Sequence, residues 1–112
     1  FEQEQLLERA RKVGERLRVG LRDMAARHPA IVDVRGPGAM VAFELGQGGD
    51  VKRPDADAAK RIVAEAAARG LILLSCGTYG NVIRILVPLT VPMAVLDEGL
   101  ALLADSVAAA LA

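Results

Sequence analysis

The stretch that most constrains the fold lies at residues 69–90 and reads RGLILLSCGTYGNVIRILVPLT. Its two short apolar runs, at 71–74 and 82–87, flank a turn-forming segment at 76–81 that contains two glycines and an asparagine. Aliphatic and β-branched runs on either side of such a segment are typical of two buried strands joined by a loop. The sequence therefore predicts strands at Leu71–Ser75 and Val82–Val87.

One charged residue, Arg84, interrupts the second of these runs. Because side chains alternate between the two faces of a strand, Arg84 should project together with Val82 and Leu86. A guanidinium stays charged and is costly to bury without an anion. We therefore expect a carboxylate near Arg84. It would come either from the protein, with Glu44 on a neighbouring strand as the obvious partner, or from a ligand.

Three other segments have the periodicity of helices, since their apolar residues recur at steps of three and four. The first ends before Pro29, the second begins at Pro54 and stops at Gly70, and the third is capped by Thr90 with Pro92 in its first turn. The inward-facing residues of these helices should be Leu6, Ala10, Val13, Leu17, Leu21 and Met24, then Ala59, Ile62, Val63 and Ala66, and finally Met93, Leu96, Leu100, Leu103, Val107 and Leu111.

Two further strands, Ile31–Arg35 and Ala39–Leu45, are separated only by Gly36, Pro37 and Gly38, so they should pair antiparallel. The order α-β-β-α-β-β-α predicts an α+β fold, a two-layer sandwich in which helices cover a small, mainly antiparallel sheet. A crossover from Ala39–Leu45 to Leu71–Ser75 would add one parallel pair to that sheet.

Length and composition exclude several classes of protein. The 112 residues suit one domain, 1–112, and 53% hydrophobic residues can fill a core. Balanced charge, with 14 basic and 14 acidic residues, argues against a nucleic-acid surface, and no apolar run is long enough to span a membrane. No metal-ligand spacing occurs, and the single Cys76 fits a reducing compartment, hence a cytoplasmic location. The start at Phe1 lacks an initiator methionine and a signal pattern, so we expect a piece of a longer protein.

The run CGTYGNVIRILVPLT at 76–90 resembles the C-terminal small domain of the class III, fold-type I aminotransferases, and within them the 4-aminobutyrate aminotransferases. Two other segments extend the resemblance along most of the chain: DVRGPGAMVAFEL at 33–45 is similar to an earlier hairpin of that domain, and KRPD at 52–55 to the start of its next helix. The resemblance implies a transferase dependent on pyridoxal 5'-phosphate that moves the amino group of 4-aminobutyrate to 2-oxoglutarate.

In that family, the arginine at the position of Arg84 resembles a fork for the carboxylate of the substrate. We expect Gly77, Gly80 and Asn81 to shape the loop before Arg84 as a structural turn, with direct substrate contact as the alternative. Tyr79 would line the cleft or lie at the tip of the loop. The cofactor lysine of the family has no counterpart among Lys12, Lys52 and Lys60. We therefore expect no catalytic, cofactor-binding or metal-binding residue in this chain, and no activity from it alone.

The resemblance also implies partners: a large cofactor-binding domain of the same enzyme, a homodimer or higher homo-oligomer, and small amino-acid and oxo-acid substrates. Without the resemblance, two alternatives remain open. The chain is then a free-standing α+β module that binds a small amino acid through Arg84, or a structural dimerisation domain.

Overall fold

The computed structural model describes residues 2–88 and 90–112. Its helices and strands follow the predicted order, with a short 3₁₀ turn at Gln47–Gly49. The elements are α1 (Glu2–Arg27), β1 (Ile31–Arg35), β2 (Met40–Leu45), α2 (Ala56–Ala68), β3 (Leu74–Cys76), β4 (Val82–Leu86) and α3 (Met93–Ala110). Within the described residues, no helix is long and apolar enough to cross a membrane.

The strands form one four-stranded sheet in the order β1-β2-β4-β3, and every neighbouring pair is antiparallel. This confirms the predicted α+β fold, but the parallel pair suggested for the crossover is wrong. After α2 the chain forms β3 at the edge of the sheet. The loop at 77–81 then reverses the chain, and β4 lies between β3 and β2. Strand β4 therefore runs antiparallel to both of its neighbours.

Helices α1 and α2 pack on one face of the sheet, and α3 packs on both of these helices. The predicted alternation along β2 is confirmed, because Val41, Phe43 and Leu45 are completely buried under the helices. On β4, Ile83 and Ile85 point into the same core. The helical stripes supply the rest of that core, chiefly Val13, Leu17, Leu21, Met24, Ile62, Leu96, Leu100, Leu103 and Val107.

The opposite face of the sheet carries no helix in the part of the chain that the structure describes. We call it the uncovered face; register and alternation assign to it Asp33, Arg35, Met40, Ala42, Glu44, Leu74, Cys76, Val82, Arg84 and Leu86. Met40, Leu74 and Leu86 are large apolar residues that lie exposed on it. The sheet is therefore buried on one side only, as antiparallel sheets commonly are.

Several boundaries differ from the sequence prediction. Strand β2 begins at Met40 rather than Ala39, and β4 ends at Leu86 rather than Val87. Strand β3 is only three residues long, and the run before it is not fully buried, since Ile72 is 86% and Leu74 71% exposed. These residues lie at the edge of the sheet, where no helix covers them. Helix α2 starts after Asp55, whose carboxylate accepts a hydrogen bond from the amide of Ala58 at 2.9 Å, so Pro54 lies outside the helix.

The predicted cap of α3 is also wrong. Its N-cap is Pro92, which has no side-chain cap, rather than Thr90. The amide of Val91 donates to the carbonyl of Pro88 at 3.0 Å, so the chain is still in a turn at Thr90 and the helix begins only after Pro92.

Helix α1 approaches the β1–β2 turn very closely at Gly14. A Cβ atom built on Gly14 would lie 1.7 Å from the carbonyl oxygen of Gly38. One helical turn further on, Nη1 of Arg18 donates to the carbonyls of Gly36 at 3.2 Å and Gly38 at 3.0 Å. Gly20 makes a looser approach to α3, with the side chain of Leu100 3.1 Å from its built Cβ. The missing side chain at Gly14 thus lets the helix dock on the hairpin.

Candidate functional site

Arg84 lies in the middle of β4, an interior strand of the sheet. Its register partners are Ala42 on β2 and Leu74 on β3. The side chain is exposed on the uncovered face, while its neighbours Ile83 and Ile85 are buried on the helical side. The orientation predicted from alternation is therefore confirmed, and both adjacent strands hold the backbone of Arg84 in place.

The guanidinium of Arg84 has neither a hydrogen bond nor an ion pair with any of the residues 2–88 and 90–112. The ion pair with Glu44 that the sequence allowed is not formed. Instead, Oε1 of Glu44 accepts a hydrogen bond from Nη1 of Arg35 at 3.0 Å, and Oδ2 of Asp33 accepts from the same nitrogen at 2.8 Å. Arg84 therefore presents a free charge to whatever lies over the uncovered face.

The register explains why Glu44 is bound to Arg35. Asp33 lies directly opposite Glu44 in the β1–β2 pair. Like charges in such positions repel each other, and Arg35, on the same face, neutralises both carboxylates. The hydrogen bond to Asp33 is the main reason why the pKa of Arg35 is raised, with a smaller contribution from Glu44 and an opposing one from burial.

The surface beside Arg84 is an open groove of about 370 Å³. It is lined by Ile72, Leu74, Ser75, Cys76, Arg84 and Leu86. Arg84 also borders an apolar cleft of about 220 Å³ that extends toward α3. Aliphatic walls with one unpaired guanidinium suit a short methylene chain that ends in a carboxylate, because the chain loses water contact while the carboxylate gains a two-bond partner.

The loop at 77–80 does not line this groove. Gly77 and Gly80 have φ angles of 88° and 65°, and the amide of Gly80 donates to the carbonyl of Gly77 at 3.1 Å. The phenol of Tyr79 at the loop tip is exposed. A contact of Gly77, Tyr79 or Gly80 with substrate stays a prediction; the conformation gives the glycines a turn function, since positive φ favours glycine.

Asn81 links the loop to β2. It is 4% exposed, its Nδ2 donates to the carbonyl of Leu45 at 3.0 Å, and its own carbonyl accepts from the amide of Leu45 at 2.9 Å. This pair of bonds fixes where β4 begins and hence which residue of β4 lies beside Ala42. Asn81 thereby positions Arg84 without lining the groove.

Sequence reasoning named Glu44, Val82 and Leu86 near Arg84. It missed Arg35, which binds Glu44 on the uncovered face, and Asp33, which binds the same arginine. The alternation of Asp33 and Arg35 along β1 matches that of Glu44 along β2, and this was the available signal. It was uninformative without the strand order, because two strands share a row of side chains only once their register is known.

None of the residues beside Arg84 is suited to hold pyridoxal 5'-phosphate covalently. The three lysines, Lys12 on α1, Lys52 in the loop before α2 and Lys60 on α2, are all exposed, and none of them lines the groove. A cofactor lysine requires a desolvated, substrate-facing position. The residues that line the groove therefore offer no amine for a covalent bond to the cofactor.

Comparison with known proteins agrees with the fold. The profile of the family "Aminotransferase class-III" matches residues 1–107. The chain belongs to the class III aminotransferase family.

Individual relatives narrow the similarity. The chain is 58% identical to the 5-aminovalerate aminotransferase of Pseudomonas aeruginosa and 53% identical to the 4-aminobutyrate aminotransferase of Escherichia coli, in both cases over 94% of this chain and 25% of the relative. Among solved structures, the lysine aminotransferase of M. tuberculosis superposes with a TM-score of 0.80 at 32% identity, over 97% of this chain and 23% of the other. The chain thus spans about a quarter of the length of these relatives.

Proposed function

We propose that this chain is the C-terminal small domain of a pyridoxal 5'-phosphate-dependent ω-amino acid transaminase, and that Arg84 binds the substrate carboxylate. The proposed donors are 4-aminobutyrate and 5-aminovalerate, after the activities named for the two bacterial relatives, with 2-oxoglutarate as the acceptor. Arg84 is proposed to bind a carboxylate of 2-oxoglutarate. The family resemblance implies that an acidic residue of the large domain pairs with this arginine when the substrate lacks an α-carboxylate, as these two donors do.

The observation that carries the proposal is the unpaired guanidinium of Arg84 on an otherwise largely apolar part of the uncovered face. The described part of the chain contains a carboxylate within diagonal reach, Glu44, but Arg35 engages it. A charge left free in this way is available to a ligand. The planar guanidinium can form two parallel hydrogen bonds to a carboxylate, which fix the orientation of the ligand as well as its charge.

The remaining chemistry belongs to a large domain of the same enzyme. When bound there, pyridoxal 5'-phosphate supplies the electron sink that transamination needs. In the proposed arrangement this chain contributes the carboxylate anchor and closes one side of the cleft. A homodimer or higher oligomer and a cytoplasmic location belong to the same proposal. Membership of the aminotransferase family favours it over a free-standing amino-acid-binding module or a structural dimerisation domain.

The test uses a chimeric enzyme in which this chain replaces the matching segment of the P. aeruginosa 5-aminovalerate aminotransferase. Arg84→Lys in the chimeric enzyme should lower kcat/KM for 2-oxoglutarate by about 30-fold or more. Loss of a charge-assisted partner costs about 2–5 kcal/mol, and about 1.4 kcal/mol is tenfold. Lysine keeps the charge but cannot reproduce the two-bond geometry.

The matched control is Arg27→Lys, which alters an exposed arginine paired with Asp23 on α1, away from the uncovered face. It should leave kcat/KM unchanged. Melting temperature and KM are measured on the same preparations. If Arg84→Lys lowers the melting temperature while KM for 2-oxoglutarate stays at the wild-type value, Arg84 is a structural residue and the proposal is wrong.

A further inference from the structure

Glu44 lies between two arginines on the uncovered face. It is paired with Asp33 on one side and with Val82 on the other, and the next row of the sheet holds Arg35, Ala42 and Arg84. Glu44 is therefore diagonal to Arg35 and also diagonal to Arg84. Diagonal neighbours on one face of a sheet are within reach of long side chains.

Only one of these two diagonal pairs is formed. Glu44 is bound to Arg35 at 3.0 Å, and its side chain is only 19% exposed. Asp33 binds the same nitrogen of Arg35 at 2.8 Å and keeps the guanidinium on the β1 side of Glu44. Ala42, the residue between the two arginines, is too short to interact with either charge.

Without Arg35, two forces would move Glu44 in the same direction. The carboxylates of Asp33 and Glu44 would face each other with no cation between them, and their repulsion would push Glu44 away from β1. On its other side, Arg84 would be the cation within diagonal reach. An internal carboxylate bound to Arg84 would compete with any carboxylate from a ligand.

We infer that Arg35 is a positioning residue that holds Glu44 away from Arg84 and thereby keeps Arg84 available to the substrate carboxylate. This inference rests on the proposed function of Arg84. It assigns the Asp33, Arg35 and Glu44 cluster a role in substrate affinity rather than only in the stability of the hairpin.

The experiment compares Arg35→Gln, Glu44→Gln and the double variant in the chimeric enzyme. Arg35→Gln should raise KM for 2-oxoglutarate by about two- to fivefold, the range expected from one opposite-charge cross-strand pair. Its kcat should change less than its KM, because the internal carboxylate competes only for the free site. The double variant should return KM to that of Glu44→Gln alone, because no competing carboxylate remains.

Two further variants separate positioning from folding. Arg35→Lys keeps a cation beside Asp33 and Glu44, so its KM should stay within twofold of wild type. Arg27→Gln removes the same charge from an ion pair on α1 and should leave KM unchanged. If Arg35→Gln raises KM and the double variant does not restore it, the effect does not pass through Glu44 and the inference is overturned.

A crystal structure of the Arg35→Gln chimeric enzyme without substrate decides the point independently of kinetics. The inference expects a carboxylate oxygen of Glu44 within hydrogen-bond distance of the Arg84 guanidinium. If Glu44 makes this contact while KM is unchanged, positioning by Arg35 is supported and the carboxylate role proposed for Arg84 fails. If Glu44 stays away from Arg84, the inference itself is wrong, whatever the kinetics of Arg84→Lys show.

Discussion

Three helical glycines differ only in what a new methyl group would meet, so they form a graded test of the packing described above. Gly99, inside α3, has no atom within 4 Å of its built Cβ. Gly20 meets the flexible end of Leu100 at 3.1 Å, and Gly14 meets the backbone oxygen of Gly38 at 1.7 Å. Alanine gives each site the same gain in helix propensity, so the surrounding atoms decide whether the free energy of unfolding rises or falls.

The magnitudes follow from these distances. Gly99→Ala should stabilise the fold by about 0.5–1 kcal/mol, the propensity difference between glycine and alanine. Gly20→Ala should be close to neutral, because a small shift of Leu100 offsets that gain. Gly14→Ala adds an overpacking cost of about 1–3 kcal/mol and strains the Arg18 hydrogen bonds at a further cost of about 1 kcal/mol. After subtraction of the propensity gain, the net loss is about 1–3 kcal/mol.

The assay is urea unfolding of the 112-residue chain and its three single variants, followed by circular dichroism and supported by melting temperatures. One kcal/mol corresponds to a shift in Tm of roughly 4 °C for a domain of this size. The expected order of stability is Gly99→Ala, then wild type and Gly20→Ala together, then Gly14→Ala. Stabilisation by Gly14→Ala comparable to that by Gly99→Ala would refute the close docking of α1 on the β1–β2 turn.

Three other predictions follow from the same structure. Asn81→Ala should lower the free energy of unfolding by only about 1–2 kcal/mol, since the carbonyl of Leu45 keeps its hydrogen bond from the amide of Asp55. Asn81→Asp should lower it further, because a carboxylate would then face that carbonyl. Equal stability of the wild type and both variants would contradict a stabilising hydrogen bond from Asn81 to Leu45. The chain alone, mixed with pyridoxal 5'-phosphate and reduced with borohydride, should give no stoichiometric single-site lysine adduct in mass spectrometry. Before reduction it should show no transaminase turnover. One modified lysine together with turnover would overturn the expectation that the chain alone is inactive. The chain alone should self-associate through its exposed apolar residues, as measured by analytical ultracentrifugation. Leu74→Lys on the uncovered face should reduce this self-association. A wild-type chain that stays monomeric at all concentrations would contradict the docking of this face on a larger partner.

The sequence predicted the order of elements and most of the inward faces, because both depend on local periodicity. Leu6, which was predicted to face inward, is instead 50% exposed. The alternation of Val41, Phe43 and Leu45 and the outward direction of Arg84 follow from the strand period of two. Strand β1 was predicted with its observed bounds.

What the sequence did not predict depends on contacts between distant segments. The strand order, which excluded a parallel pair, is decided by where β4 inserts, and no local pattern encodes that choice. The same holds for the partner of Glu44: Arg35 and Arg84 are equivalent candidates until the register is known. Thr90 is a residue type that often caps helices, but the hydrogen bond between Pro88 and Val91 keeps it in a turn, so α3 begins only after Pro92.

The position of Arg84 on an interior strand has a consequence for how ligands of different length are told apart. Strand β4 is paired with β2 on one side and with β3 on the other, so Arg84 cannot shift along its strand as a residue on a loop can. If Arg84 binds the carboxylate, the position of that end of the ligand is fixed. A ligand with one more methylene must then be accommodated at its other end or by tilting of the whole small domain. Selectivity for chain length would thus depend on the distance between Arg84 and the groups that bind the other end of the ligand, and β4 fixes the position of Arg84.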